Sequence, residues 1–355
     1  MSNLKRLQAA LAECECQAIL LTDMDNVRWA SGFTGSFGQA WVTQTASVFV
    51  TDSRYTIQAA EQVRGFEQHT FGAPKNLQDT MAEVVGNLGL KSVMFETSLG
   101  YATWSDWREK FPSLELVPAG DLMKPLRMVK TEDEIAKIQE ACRLADACME
   151  HAKRMLQPGV TEYDVGLDIE FFFRRNGAEI GFSPIVASGP NSARPHATPG
   201  ERKFQEGDFV TLDLGGRLDG YCSDITRTFV IGKATDRHRE VYEAVLAAEQ
   251  AAISAIRPGM TGKEVDAVSR DLLASKDLAQ YFGHGLGHGL GLQVHDPGGL
   301  STRSTDAIEV GQVWTIEPGV YIEGFGGVRI EDDVVVTDGN ARVLTHVDRS
   351  LQELT

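Results

Sequence analysis

Basic charge is scarce in this chain: 34 lysines and arginines stand against 50 aspartates and glutamates, a formal net charge of −16. That balance disfavours nucleic acid and anionic membrane surfaces as partners. Long apolar runs are missing too, and nothing approaches the roughly eighteen consecutive residues of a membrane span. Residues 1–13 read as an amphipathic helix on Leu4, Leu7 and Leu11, without a signal peptide's apolar core. Low-complexity segments are absent, and a hydrophobic content of 42% is that of an ordinary globular protein. Cysteine is sparse and odd in number, with five at 14, 16, 142, 148 and 222, none paired with a histidine at metal-ligand spacing. Reduced thiols in a cytoplasmic protein are the expectation.

What the chain does have is a run of histidines set among glycines. Residues 282–296 hold His284, His288 and His295, three of the eight histidines, with glycine at 283, 285, 287, 289 and 291. Each glycine costs a helix about 1 kcal/mol against alanine, so a regular helix is improbable there. Glycines this dense let a backbone pass close to something, and imidazoles suggest a metal or a reacting carbonyl. The alternative is a flexible loop with solvated histidines.

Residues 1–125 alternate helix-like and strand-like segments. Ala18-Ile19-Leu20-Leu21 reads as a buried strand, and Ala40–Thr43 with Val48–Thr51 as a hairpin. Helical periodicity covers 54–63 and 77–88, and Val93-Met94-Phe95 is a further strand. This is an α/β domain with one histidine, His69, and no expected chemistry of its own. Pro125 marks a boundary, giving domains 1–125 and 126–355. Beyond it, Thr131 and Glu134 form a capping box for a long helix reaching Met155.

The C-terminal part repeats itself. Leu156-Gln157-Pro158-Gly159-Val160-Thr161 recurs one hundred residues on as Ile256-Arg257-Pro258-Gly259-Met260-Thr261, each followed by a helix, at 162–175 and 262–274. Gly207 to Asp213 likewise recurs as Gly311 to Glu317, so both copies end a strand with an acid. A hairpin and a second acid follow each, Asp224 and Glu331. Such a period suits two fused half-domains. Strand alternation turns Asp213 away from Val210, Leu212 and Leu214, and Glu317 away from Trp314 and Ile316; Arg329 shares a face with Glu331. If the halves pack about a pseudo-twofold axis, four carboxylates converge and must either protonate or bind cations.

Four carboxylates beside a neutral imidazole are half neutralised by one divalent ion and neutralised by two. Bridging carboxylates suit two ions about 3.5 Å apart. A donor set rich in oxygen, with one histidine, favours Mn²⁺, with Co²⁺, Fe²⁺ or Zn²⁺ compatible.

Asp213, the segment 220–228, the segment 284–296, Thr315-Ile316-Glu317-Pro318-Gly319 and Val328-Arg329-Ile330-Glu331-Asp332 together closely resemble the proline-specific metallopeptidases of the pita-bread fold, the Xaa-Pro dipeptidases (prolidases) and aminopeptidases P. Asp25 to Trp29, Gly32-Phe33 and Asp52 to Tyr55 resemble that family's N-terminal domain. The resemblance implies an α/β N-terminal domain and an α+β pita-bread catalytic domain with internal pseudo-twofold duplication. It implies that Asp213 chelates one ion, that Asp224 and Glu331 bridge both, and that His288 with Glu317 completes the second. Two cations would then activate a water for attack on the scissile carbonyl. Glu317 matches the acid that shuttles a proton toward the leaving nitrogen, and His196 and His295 match imidazoles that contact substrate and steady the tetrahedral intermediate. His284 matches another substrate-side histidine, and Arg329 is counted among the substrate-binding residues. A homodimer is also implied.

Within the family a dipeptidase must read a carboxylate directly after proline, a task that suits arginine. Arg303, fourteen residues before Glu317, is the candidate, although Asp306 stands where a second arginine is often seen. The expected function is hydrolysis of Xaa-Pro dipeptides by a dinuclear metal site. The alternative is aminopeptidase P action on longer Xaa-Pro-Yaa peptides. A non-enzymatic binding protein on the same fold fits less well, because all five ligand positions are intact.

Overall fold

The computed structural model describes residues 1–354. The chain falls into two compact units that meet at Leu126 and Arg127. In the first, six strands form one sheet in the order Glu67–Phe71, Ser47–Asp52, Gln39–Thr43, Ala18–Leu21, Ser92–Phe95, Glu115–Pro118. The expected hairpin is present: Gln39–Thr43 runs antiparallel to both its neighbours, and the remaining pairings are parallel. Ala18–Leu21 is buried along its whole length, as an unbroken apolar run in a covered sheet should be. The predicted helices appear as Thr56–Gln62 and Leu77–Asn87, the latter opened by an Asn76/Asp79 capping box.

The second unit starts with the helix Glu132–Lys153, whose first free amides are satisfied by the Thr131/Glu134 capping box. The duplication is evident in its local structure. Thr161 caps Glu162–Arg175 with Asp164, and Thr261 caps Gly262–Ala274 with Glu264, each a reciprocal box. Both threonines also form an isolated antiparallel bridge, to Lys203 and Ala307. Each half has its own core. Val165, Ile169, Phe173, Val210, Leu212 and Leu214 pack in one, and Val265, Leu273, Trp314, Ile316, Val328 and Val334 in the other.

Two sheets carry the site. One has the order Glu353–Leu354, Ile225–Ile231, Phe209–Leu214, Ile185–Ser188. The other has the order Asp296–Leu300, Gly287–Gly289, Val313–Ile316, Asp332–Val335, Arg342–Val343. In each, the strand that ends within one residue of the first acid pairs antiparallel with a strand whose start directly follows the second acid. Asp224 precedes Ile225–Ile231, and Glu331 precedes Asp332–Val335.

The glycine-rich stretch differs from its expectation. His288 sits in a short strand, Gly287–Gly289, between Asp296–Leu300 and Val313–Ile316. What the backbone passes close to is other backbone. A Cβ on Gly287 would lie 2.0 Å from Thr315 O, and one on Gly289 would lie 2.4 Å from Pro297 O. The glycines permit tight strand packing, and the imidazoles face the space that this packing leaves.

Candidate metal centre

Asp213, Asp224, His288, Glu317 and Glu331 line one cavity of about 490 Å³, together with His196, His284, His295 and Arg329. One donor atom each from Asp224, His288 and Glu331 lies within 4.8 Å of the others. His288 Nε2 stands 3.5 Å from Glu317 Oε1 and 3.7 Å from Asp224 Oδ2. Its other nitrogen, Nδ1, is 3.0 Å from Gly289 O. Donation from Nδ1 to that carbonyl leaves the Nε2 lone pair facing the carboxylates, as a metal-binding imidazole requires.

The acids are held by a small set of donors. Thr226 Oγ1 donates to Glu331 Oε2 at 2.6 Å, and Thr315 Oγ1 lies 3.3 Å from Glu317 Oε1. Arg329 donates from Nη2 to Asp213 Oδ2 at 2.5 Å, from Nε to Thr226 Oγ1, and from Nη1 to Tyr321 OH and Pro195 O. The amide of Asp224 donates to Asp333 Oδ2 at 3.0 Å. After this, Asp213 Oδ1, Asp224 Oδ1 and Glu331 Oε1 remain buried with no hydrogen-bond partner.

Such oxygens are costly unless something positive meets them. Burial, then the charges of Glu331, Asp213, Asp333 and Glu317, pushes the Asp224 carboxyl far above the usual carboxylate range. Burial and then Glu317 and Asp213 do the same to Glu331. Glu317 is raised to about 8 by burial, against the pull of Arg329. His288 is lowered to about 4 by burial, which keeps it neutral and free to ligate. Unpaired oxygens, mutually repelling acids and a neutral imidazole fit divalent cations, since the ions would supply the missing positive charge.

The other expected residues divide. His295 and His196 are exposed at the cavity wall, with the His295 ring 4.3 Å from that of His288. His284 lines the cavity, but both its nitrogens are engaged: Nδ1 is 2.8 Å from Gly285 O and Nε2 is 2.9 Å from Tyr321 OH. Burial lowers its pKa to about 4. It belongs to a chain running from Arg329 through Tyr321 to His284 on the wall of the cavity. Arg329 lines the same cavity, with four of its five N–H donors serving Asp213, Thr226, Tyr321 and Pro195. Arg303 is exposed and does not line the cavity.

Sequence reasoning missed Thr226, Thr315, Tyr321 and Asp333. A signal existed for Thr315, which stands two residues before Glu317 and so shares its face of the strand. Asp333 and Tyr321 act through contacts between segments distant in sequence, which one chain read alone does not reveal.

Comparison with known proteins places the whole chain. The model of metallopeptidase family M24 matches residues 136–338, and that of the creatinase/prolidase N-terminal domain matches 3–129. The chain is 42% identical over 351 residues to an uncharacterized peptidase of Bacillus subtilis, covering 98% of this chain and 99% of that one. It superposes on the structure of an Xaa-Pro dipeptidase from Bacillus anthracis with a TM-score of 0.95, 40% identity and 99% of each chain covered. An X-Pro aminopeptidase from Thermotoga maritima gives a TM-score of 0.92 at 32% identity, over 98% of this chain and all of that one. With both family models matched in order, this chain belongs to metallopeptidase family M24 and carries the creatinase/prolidase N-terminal domain ahead of a pita-bread catalytic domain.

Proposed function

We propose that this chain is a dinuclear metal-dependent hydrolase that cleaves the bond before proline in Xaa-Pro dipeptides. The observation that carries the reading is the set of three unpaired, buried carboxylate oxygens beside a neutral His288, on the wall of a cavity large enough for a small peptide. Asp213, Asp224, His288, Glu317 and Glu331 would hold two divalent ions, with Asp224 and Glu331 shared. When bound, the ions acidify a water and polarise the scissile carbonyl. The oxygen-rich donor set favours Mn²⁺, with Co²⁺, Fe²⁺ and Zn²⁺ compatible.

The chain's own groups do the rest. Glu317, raised to about 8 by burial, is matched to accepting and returning a proton near neutral pH, and so to protonating the leaving proline nitrogen. His295 and His196, at the open side of the cavity, donate to the substrate carbonyl as its oxygen gains charge. Phe182, Pro184 and Val294 give the cavity an apolar wall suited to a proline ring. A homodimer in the cytoplasm belongs to the same reading.

The placement of Arg303 favours aminopeptidase P as a second reading. Among the described residues lining the cavity, Arg329 is the single arginine or lysine, and four of its five N–H donors are engaged. A carboxylate directly after proline therefore meets no free two-pronged guanidinium among the described residues lining the cavity. A panel comparing Xaa-Pro with Xaa-Pro-Yaa peptides, each with Mn²⁺, Co²⁺ and Zn²⁺, separates the two. Higher kcat/KM on the dipeptide supports the first reading, and higher kcat/KM on the tripeptide replaces it with the second.

A further inference from the structure

The loop 188–200 supplies one flank of the cavity, with Pro195, His196, Ala197, Thr198 and Pro199 among its lining. Both ends of this loop are gripped by one carboxylate. Glu162, fully buried at the start of the helix Glu162–Arg175, accepts at Oε1 from Ser188 N at 2.8 Å and Ser188 Oγ at 2.7 Å. Its Oε2 accepts from Gly200 N at 3.2 Å, and Asn191 Nδ2 donates to both oxygens at 3.1 Å. The helix backbone adds to the grip, since Tyr163 N donates to Gly200 O and Glu162 N to Arg202 O. The middle of the loop is pinned separately, by Ser192 Oγ accepting from Gly327 N and by Arg329 donating to Pro195 O.

The duplication sharpens the point. The position equivalent to Glu162 in the second half is Gly262, where a Cβ would lie 2.4 Å from Gly299 O. There the corresponding tether comes from Asp266, which accepts from Leu286 N, and from Arg270, which donates to the carbonyls of Phe282 and His284. Packing at the helix start leaves no room for a side chain in the second half. In the first half that space is spent on a fully hydrogen-bonded acid. A buried carboxylate is retained only when donors compensate it, and four of the five bonds to Glu162 come from the loop residues Ser188 and Asn191.

We infer that Glu162 is a positioning residue that fixes the loop 188–200 and, through it, the imidazole of His196 against the metal centre. The inference rests on the reading of His196 given above.

The test is a double-mutant cycle of Glu162→Gln with His196→Ala on the metal-loaded enzyme, with amide exchange followed across the chain. Gln keeps the shape but places an NH₂ group against donors, and Asn191→Ala serves as the second variant should Glu162→Gln not fold. Glu162→Gln should lower kcat/KM about tenfold with His196 present and less than about twofold without it, the signature of coupling within one network. Exchange should quicken at 189–200 and nowhere else, and the stoichiometry of Mn²⁺ titrated into the metal-free protein should not change. Equal losses on both backgrounds, or loss of Mn²⁺, would overturn the assignment. Full activity of His196→Ala would sink the reading of His196 instead. In that case unchanged exchange at 189–200 in Glu162→Gln would overturn the clamp, and quickened exchange would uphold it.

Discussion

Arg329 fixes one oxygen of Asp213 from 2.5 Å away, while the other oxygen stays buried without a partner. The pair shows how the site is balanced: one arginine holds the carboxylate in place, and its free oxygen is left for a cation. Arg329 is itself buried, and Asp213, Glu317 and Glu331 all act on it. Truncation to alanine removes the one guanidinium among the described residues lining the cavity and strands several acids. Arg329→Ala should destabilise the metal-free protein by about 3–5 kcal/mol, as breaking a buried pair does. Added Mn²⁺ should recover part of that. Urea unfolding with and without metal measures both, and a loss that Mn²⁺ leaves untouched would argue against this balance.

The raised carboxyls also set a pH dependence. Glu317 titrates near 4.3 when unfolded and near 8 when folded, so between those values the folded state binds more protons. The stability linked to it is complete below about pH 4.3 and is lost as pH rises toward about 8. Asp224 and Glu331 act with the same sign and extend the window upward, and Glu249, raised to about 9 by burial, adds to it. Chelated protein should therefore grow less resistant to urea from pH 5 to pH 9, and saturating Mn²⁺ should flatten that trend. Chelated protein that becomes more stable over this range would contradict the charge reading.

His295→Ala and His196→Ala should retain metal while kcat falls by something on the order of 10²-fold, the cost of one donor to a developing oxyanion. Both side chains are exposed at the cavity wall, and neither belongs to the tight group formed by Asp224, His288 and Glu331. Elemental analysis of the purified variants beside their kinetics decides the matter: metal lost together with activity would make that histidine a ligand.

Arg303 offers a test of substrate class. It is exposed and outside the cavity. Arg303→Ala should consequently change kcat/KM for Xaa-Pro and Xaa-Pro-Yaa by the same small factor, under about twofold, as surface substitutions do. A selective loss on the dipeptide would return Arg303 to the role the sequence suggested.

The sequence disclosed most where its signals were local or repeated. The capping box at Thr131 set one helix start within a residue, because hydroxyl and acid three positions apart satisfy specific amides, and the repeated Pro-Gly-x-Thr placed the starts of Glu162–Arg175 and Gly262–Ala274. Asp213 and Glu317 could be turned toward the site because a strand alternates faces and the repeat gave both strands the same phase. The glycine-rich segment was legible as a place of close approach, but not as to what approached it, because Thr315 and Pro297 come near only in the folded sheet. The contacts that Arg329 and His284 make with Asp213, Tyr321 and Gly285 were not legible, because a sequence lists donors without showing which are already used. Glu162 was invisible for a related reason: its partners Ser188, Asn191 and Gly200 lie 26 to 38 positions away.

Metal stoichiometry tests the central claim most directly. Wild-type protein, stripped and titrated calorimetrically with Mn²⁺, should bind two ions per chain, whereas Asp224→Ala and Glu331→Ala should bind at most one and lose hydrolysis of Xaa-Pro. The prediction follows from the unpaired oxygens of those two acids and from a charge balance that needs all four carboxylates. Two ions bound with full activity in either variant would show that the site is not built as described.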